Sequence, residues 1–340
     1  MTSGLRGLAE AARAAKLTGM KLATPQFAAL LAATTLLCGA HAAPARPAKP
    51  ATPKAAPAKK NAQEILAASP AADWRALDPD NTLLMDLAAG QVIIELAPRF
   101  APAHVANIRA LARGGYWNGL AILRVQDNFV TQWGDPDGED AAKARPLPAG
   151  AQAHLPAEFS VPIDRIGKGA GFTRLPDVDG WAPRTGFAGG FPVAADPKSG
   201  RAWLAHCYGM VGAGRGDAVD SSNGTELYTV IGQAPRGLDL NITVVGRVIK
   251  GMEWLSALPR GTAAMGFYDK PEQRTGIQRI RLLSDVPEAE RPALQVLRTE
   301  SATWTQLLNA RRYRGGWFVH SPGHIEVCSA NVPTRPTPSP

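Results

Sequence analysis

The alternation of apolar and polar positions changes character several times along the 340-residue chain. Thr82–Leu87 and Gln91–Leu96 are short apolar runs on either side of Ala88-Ala89-Gly90, and this spacing predicts a hairpin. Residues 102–112 switch to the helical period. Val105, Ile108, Leu111 and Ala112 fall on one face, Pro102 suits the first turn, and Gly114-Gly115 stop the helix. Residues 121–135, AILRVQDNFVTQWGD, read as two short strands around a kink. Further strands are predicted at 203–211, 226–232 and 242–249. Near the C-terminus Trp304, Leu307 and Leu308 form a helical face, and GGWFVHS with HIEVC predicts a small hairpin. Folded structure is expected to begin near Trp74. Residues 139–200 are dense in Gly, Pro and Asp, with Phe159, Phe172, Trp181, Phe187 and Phe191 between them. No fixed secondary structure is assigned there. A loop of that length tends to be functional, and it could wall one side of a cleft.

Within residues 121–135, Arg124 and Gln132 sit among Ile122, Leu123, Val125, Phe129, Val130 and Trp133. A guanidinium in such company must find acceptors or face a cleft, because burying it unpaired is costly. The run resembles the cyclophilin segment F-H-R-V-I-x-x-F-x-x-Q-G-G-D, and keeps its Arg, Phe and Gln in order. APAHVANIRALARGGYWNG resembles the family's first helix, A-P-x-T-V-x-N-F-x-x-L. GMVGAGR (209–215) and NGTELYTVI (223–231) resemble G-x-L-S-M-A-N and N-G-S-Q-F-F-I. LDLNITVVGRVIKGMEWL (238–255) resembles the strand and second helix that follow, and IQRIRLL (277–283) fits a closing strand. The resemblance covers roughly residues 80–285 with a gap at 139–200.

That resemblance implies a mainly β fold, a closed eight-stranded antiparallel barrel capped by two helices. The domain is then 73–285, with a long loop insertion at 139–200 and a C-terminal extension, 286–340, packed on the barrel. The implied activity is peptidyl-prolyl cis-trans isomerisation. Amide resonance opposes rotation with a barrier of about 18–20 kcal/mol, and a catalyst needs only to fit the twisted amide better than either planar form. No metal, cofactor or nucleophile is required.

By the resemblance Arg124 is the donor to the prolyl nitrogen, held near Gln132, with Phe129 and Tyr228 as pocket aromatics. Val130 and Leu238 match apolar pocket positions, and Gly214 and Arg215 match positions that bind substrate backbone. Several positions depart from the pattern. Leu123 replaces a His, Ala213 a Met, Arg215 an Asn, Gly237 a rim aromatic and Ile242 a pocket His. Glu226 replaces a Gln and is expected to pair with Arg215 or Arg124. The rebuilt rim leaves open a second reading, a peptide-binding or chaperone module that uses the same cleft with little or no catalysis.

Charge and leader narrow the partners. The net charge of +8 divides into +3 for residues 1–42 and +5 for 43–62, which leaves none for the rest. The basic balance therefore marks no folded nucleic-acid face. From Met20, a possible natural start, a Lys, an apolar run and Ala40-His41-Ala42 follow the order of a secretory signal ending at residue 42. The run is short for a membrane span. The Pro/Ala/Lys-rich stretch from 43 to 72 is expected to be a disordered linker. A periplasmic monomer acting on proline-containing polypeptides is the expectation. Export would leave Cys207 and Cys328, which either pair in an oxidising compartment or are two unrelated buried thiols.

Rival motifs fail on spacing. Asp135–Glu139 hints at a calcium loop, but Asp140 and Pro146 occupy the positions that need Gly and Glu. The glycines of 209–217 are followed by no Lys-Ser/Thr. His320, His324 and Cys328 are interrupted by Pro322-Gly323, so a metal site is not expected. A hydrolase is set aside because no G-x-S-x-G occurs and neither His104, in a predicted helix, nor His206, in a predicted strand, has an obvious serine partner.

Overall fold

The computed structural model describes residues 60–167, 171–233 and 235–338. The predicted leader and residues 43–59 of the predicted linker lie outside them.

Eight strands close a barrel in the order β11-β12-β5-β4-β14-β2-β3-β13, and β13 returns to β11. They are β2 (Thr82–Leu87), β3 (Gly90–Leu96), β4 (Ala121–Val125), β5 (Val130–Gly134), β11 (Met210–Ala213), β12 (Leu227–Val230), β13 (Val244–Lys250) and β14 (Thr275–Leu282). Every neighbouring pair is antiparallel. Closure leaves no barrel strand with an open edge. The predicted hairpin is β2–β3, in register from Thr82 opposite Glu95 to Leu87 opposite Gly90. Leu83, Met85, Val92, Ile94, Trp133, Leu227 and Ile280 fill the interior. Val105, Ile108 and Leu111 of helix α2 (Pro102–Arg113) and Leu255 of helix α4 (Met252–Ser256) join the same core.

Helix α2 lacks a local cap, because its N-cap residue is Ala101. Glu158, distant in sequence, accepts from the Ala103 and His104 amides at 2.9 Å each and takes that role. Its carboxyl is pushed up by burial, but the bonds from His104 and these amides outweigh burial and hold it below the ordinary value.

The expected loop 139–200 instead contributes four strands to a second sheet, with irregular connections between them. Strands β6 (Val161–Pro162), β7 (Thr173–Leu175), β8 (Arg184–Ala188), β9 (Phe191–Asp196) and β10 (Arg201–Leu204) pair in the order β6-β10-β9-β8-β7, beside a short helix α3 (Asp164–Gly167). The expected strand 203–211 is therefore two, with β10 in this sheet, β11 in the barrel, and His206 in the connection rather than in a strand. The expected linker also ends early. Asn61 caps helix α1 (Ala62–Ala67) through a reciprocal bond pair with Glu64, and Ile65 of α1 is buried.

The second sheet packs with both ends of the described chain. Helix α5 (Ala302–Arg312) presents the predicted face Trp304, Leu307 and Leu308, and the Trp304 ring meets Phe187 edge-on at 4.9 Å. Strand β15 (Leu294–Leu297) joins β1 (Trp74–Ala76) and β16 (Thr334–Pro336) in a third sheet. The hairpin expected at 315–328 is absent. Gly315-Gly316 and Pro322-Gly323 interrupt both sides of that run, and Trp317 and Val319 are 87% and 103% exposed. Cys328 is disulfide-bonded to Cys207, which ties this extension to the start of β11. Glu95 and Arg247, directly opposite on β3 and β13, are bonded at 2.9 Å, and Arg75 of β1 reaches the same carboxylate at 2.5 Å. No helix among the described residues is long and apolar enough to cross a membrane.

Candidate functional site

Register across four adjacent strands builds the site. Arg124 on β4 lies opposite Gln132 on β5, Gln132 opposite Tyr228 on β12, and Tyr228 opposite Gly212 on β11. Directly opposite residues share a face, so the four form a row. The alternate positions Trp133 and Leu227 point into the barrel core. The row therefore lies on the barrel's outer face, where Val130, Tyr228 and Val230 join a cluster with residues of the second sheet.

Arg124 is held from three sides. Its Nε donates to the Met265 carbonyl at 2.6 Å, Nη1 to Gln132 Oε1 at 3.2 Å, and Nη2 to Gln126 Oε1. The rings of Phe129 and Phe267 each lie 5.4 Å from its guanidinium carbon, within cation–π range. Burial pulls its pKa down, and the nearby Glu226 carboxylate opposes that pull.

Gln132 passes the contact onward. Its Nε2 donates to Glu226 Oε2 at 2.6 Å. The expected ion pair of Glu226 with Arg215 or Arg124 does not form, because the Gln132 amide occupies the space between the guanidinium and the carboxylate. Arg215 turns instead to the carbonyls of Asn241, Gly216 and Asp217 and stacks over Phe159 at 5.8 Å. Gly214 stays beside Glu226, its amide donating to the Glu226 carbonyl at 2.9 Å. Burial raises the Glu226 carboxyl, the Gln132 bond lowers it, Glu139 and Asp135 raise it further, and Arg124 lowers it; the net direction is upward.

Of the apolar positions read from sequence, Phe129, Val130, Tyr228 and Ile242 pack into one cluster. Leu238, half-buried at the end of the turn Pro235–Leu238, is not among the side chains packed there. Tyr228 is 4% exposed, and its hydroxyl bonds His206 Nε2 at 3.0 Å. Burial and the Asp239 charge push that phenol upward. Gly212 makes room for the ring, since a Cβ there would lie 2.2 Å from the Tyr228 hydroxyl.

Sequence reasoning missed Gln126, Met265 and Phe267 around Arg124, and the polar chain behind Tyr228. His206 Nδ1 bonds Asp239 at 2.9 Å, and Arg236 bonds Asp239 at 2.8 Å and Asp179 at 3.0 and 3.1 Å. Only Gln126, two residues from Arg124 on the adjoining kink, carried a local signal. His104, read as lacking a serine partner, has one: its Nε2 lies 3.3 Å from Ser222 Oγ, with Glu158 on Nδ1 at 2.8 Å. His104 is 0% and Ser222 4% exposed, which leaves no approach for a substrate carbonyl. Among the described residues no three His, Cys, Asp or Glu side chains group as metal ligands.

The motif order and the barrel now meet an independent comparison. A family model, cyclophilin type peptidyl-prolyl cis-trans isomerase/CLD, matches residues 82–282. The chain belongs to the cyclophilin family. A probable peptidyl-prolyl cis-trans isomerase of Brucella suis biovar 1 is 28% identical over 189 residues, 56% of this chain and 76% of that protein. The human peptidyl-prolyl cis-trans isomerase-like 1 is 37% identical over 73 residues, 22% of this chain and 42% of that protein. In fold, this cyclophilin is similar to the crystal structure of cyclophilin AquaCyp293 from Hirschia baltica. That match has a TM-score of 0.62 at 23% identity and covers 83% of this chain and 100% of the other.

Proposed function

We propose that this cyclophilin catalyses cis-trans isomerisation of Xaa-Pro bonds through Arg124, with Gln132 holding the guanidinium and Phe129 receiving the prolyl ring beside Val130 and Ile242. The observation that carries the reading is the fixing of Arg124. Three of its N–H groups go to Met265, Gln132 and Gln126, and two aromatic rings flank it. A guanidinium held this way keeps its remaining N–H groups for the prolyl nitrogen. Donating to that nitrogen favours its pyramidal form, breaks amide resonance and lowers the rotation barrier. No bond is made or broken.

The clients we propose are proline-containing polypeptides folding after export, with the enzyme acting as a periplasmic monomer. The leader-like order of residues 20–42 and the Cys207–Cys328 disulfide both support an oxidising compartment.

The test is the isomerisation rate of a proline tetrapeptide with the purified protein and with Arg124→Ala. Loss of one fixed electrostatic donor is expected to lower kcat/KM by about two orders of magnitude. Equal rates would abandon the arginine mechanism. One observation favours a second reading, a peptide-binding module with weak catalysis. Tyr228 is turned into the molecule by its bond to His206, so the aromatic floor offers less surface than an open one. Refolding of a proline-limited protein separates the two, because binding alone suppresses aggregation without shortening the slow phase.

A further inference from the structure

We infer that Glu226 is a positioning residue for Arg124: as a carboxylate it fixes which way round the Gln132 amide lies, so the isomerase works only with Glu226 ionised. This rests on the arginine reading above. A guanidinium has donors only and an ionised carboxylate has acceptors only. The amide between them therefore has one satisfactory orientation, NH₂ toward Glu226 and carbonyl toward Arg124, and this is the orientation found. Protonating Glu226 gives it an O–H that can donate to the amide carbonyl. Gln132 can then turn over and set its NH₂ against the Arg124 donors, which releases one of the three contacts that hold the guanidinium.

The surroundings of Glu226 move this change above the ordinary Glu range. Asp135 and Glu139, after β5, and burial raise its carboxyl, against Gln132 and Arg124. Tyr116, beyond the end of α2, also feels its charge. Just after β11, a Cβ built on Gly214 would lie 3.4 Å from Glu226 Oε2, and the next residue, Arg215, is bonded to carbonyls of Gly216, Asp217 and Asn241. Isomerisation itself transfers no proton, so an acid limb in the rate reports the protein.

The experiment is a protease-free measurement of tetrapeptide isomerisation from about pH 4 to pH 8 on the full chain, with circular dichroism confirming the fold at each pH. One pH unit below a midpoint the ionised fraction is about one-tenth. Wild type is therefore expected to lose up to about tenfold in kcat, with KM little changed, through a midpoint above the ordinary Glu range. Glu226→Gln presents a donor and an acceptor at every pH, as protonated Glu226 does, so its profile should be flat and stay near the rate that wild type reaches on the acid side. Glu226→Leu should lower kcat throughout. A flat wild-type profile, or an acid limb that persists in Glu226→Gln, overturns the inference. Arg124→Ala run alongside separates the two failures. If it matches wild type, the arginine reading itself falls and this inference with it. If it is inactive while the limb persists in Glu226→Gln, only the role of Glu226 is lost.

Discussion

Arg236 shows how much one buried side chain can hold. It is 3% exposed, bonded through two nitrogens to Asp179 of the insertion and through Nε to Asp239 behind the site. Burial alone would depress its pKa, but the bonds from these carboxylates more than reverse that. Removing one partner of a buried ionic group strands the others, and the loss is about 3–5 kcal/mol. Arg236→Met is expected to lower stability by that amount in urea unfolding, because Asp179 and Asp239 would remain charged and enclosed. A loss under about 1 kcal/mol would show that water reaches the cluster and screens it. Gly212→Ala acts by a different route. Its Cβ would collide with the Tyr228 ring, and overpacking of this kind costs about 1–3 kcal/mol. The expected signature is a lower melting temperature together with altered Tyr228 fluorescence.

Among the elements, the clearest dependence is on the Cys207–Cys328 bond. It closes a segment of 121 residues that contains β11 to β15 and α5. In the chain-entropy model a loop of that size contributes about 4–5 kcal/mol. Cys207→Ser with Cys328→Ser is expected to reduce the unfolding free energy by up to that amount. Limited proteolysis should then cut first in the exposed run around Trp317. The barrel strands and α2 were legible because their signals are local: short apolar runs around turn residues, a Pro start and a Gly-Gly stop. The second sheet was not, although Gly189-Gly190 joins Ala188 to its partner Phe191 with φ of +59° and +93°, the backbone of a two-residue hairpin. Its strands are built from Gly186, Ala188, Ala194, Ala195 and Ala202, small residues that carry little β signal and are buried by contacts distant in sequence. The order of Arg124, Phe129 and Gln132 was readable from the motif. The acceptor on Met265 and the network behind Tyr228 depend on loops whose approach no local pattern encodes.

At the level of the whole molecule, the perturbed carboxylates set how stability follows pH. For Asp86, Glu158, Asp177, Asp179 and Asp239 burial pushes upward, yet bonds from Gln91, His104 and the nearby arginines and amides leave each below its ordinary value. The unfolded chain therefore binds more protons at these groups than the folded one. Their stabilisation is complete above the unfolded carboxylate range and is lost as pH falls through the folded values. Glu226 has the opposite sign. Raised in the folded protein, it contributes stability on the acid side that disappears as pH rises through its folded value. The lowered carboxylates outnumber the single raised one, which predicts a urea midpoint that falls steadily below about pH 5. Glu226→Gln isolates the single opposing group. Since an amide has no charge to bury, the variant should gain on wild type at about pH 7 and lose that advantage at about pH 4, where Glu226 is itself neutral. A stability difference that stays constant across this range would place the Glu226 carboxyl in contact with bulk water in the folded protein.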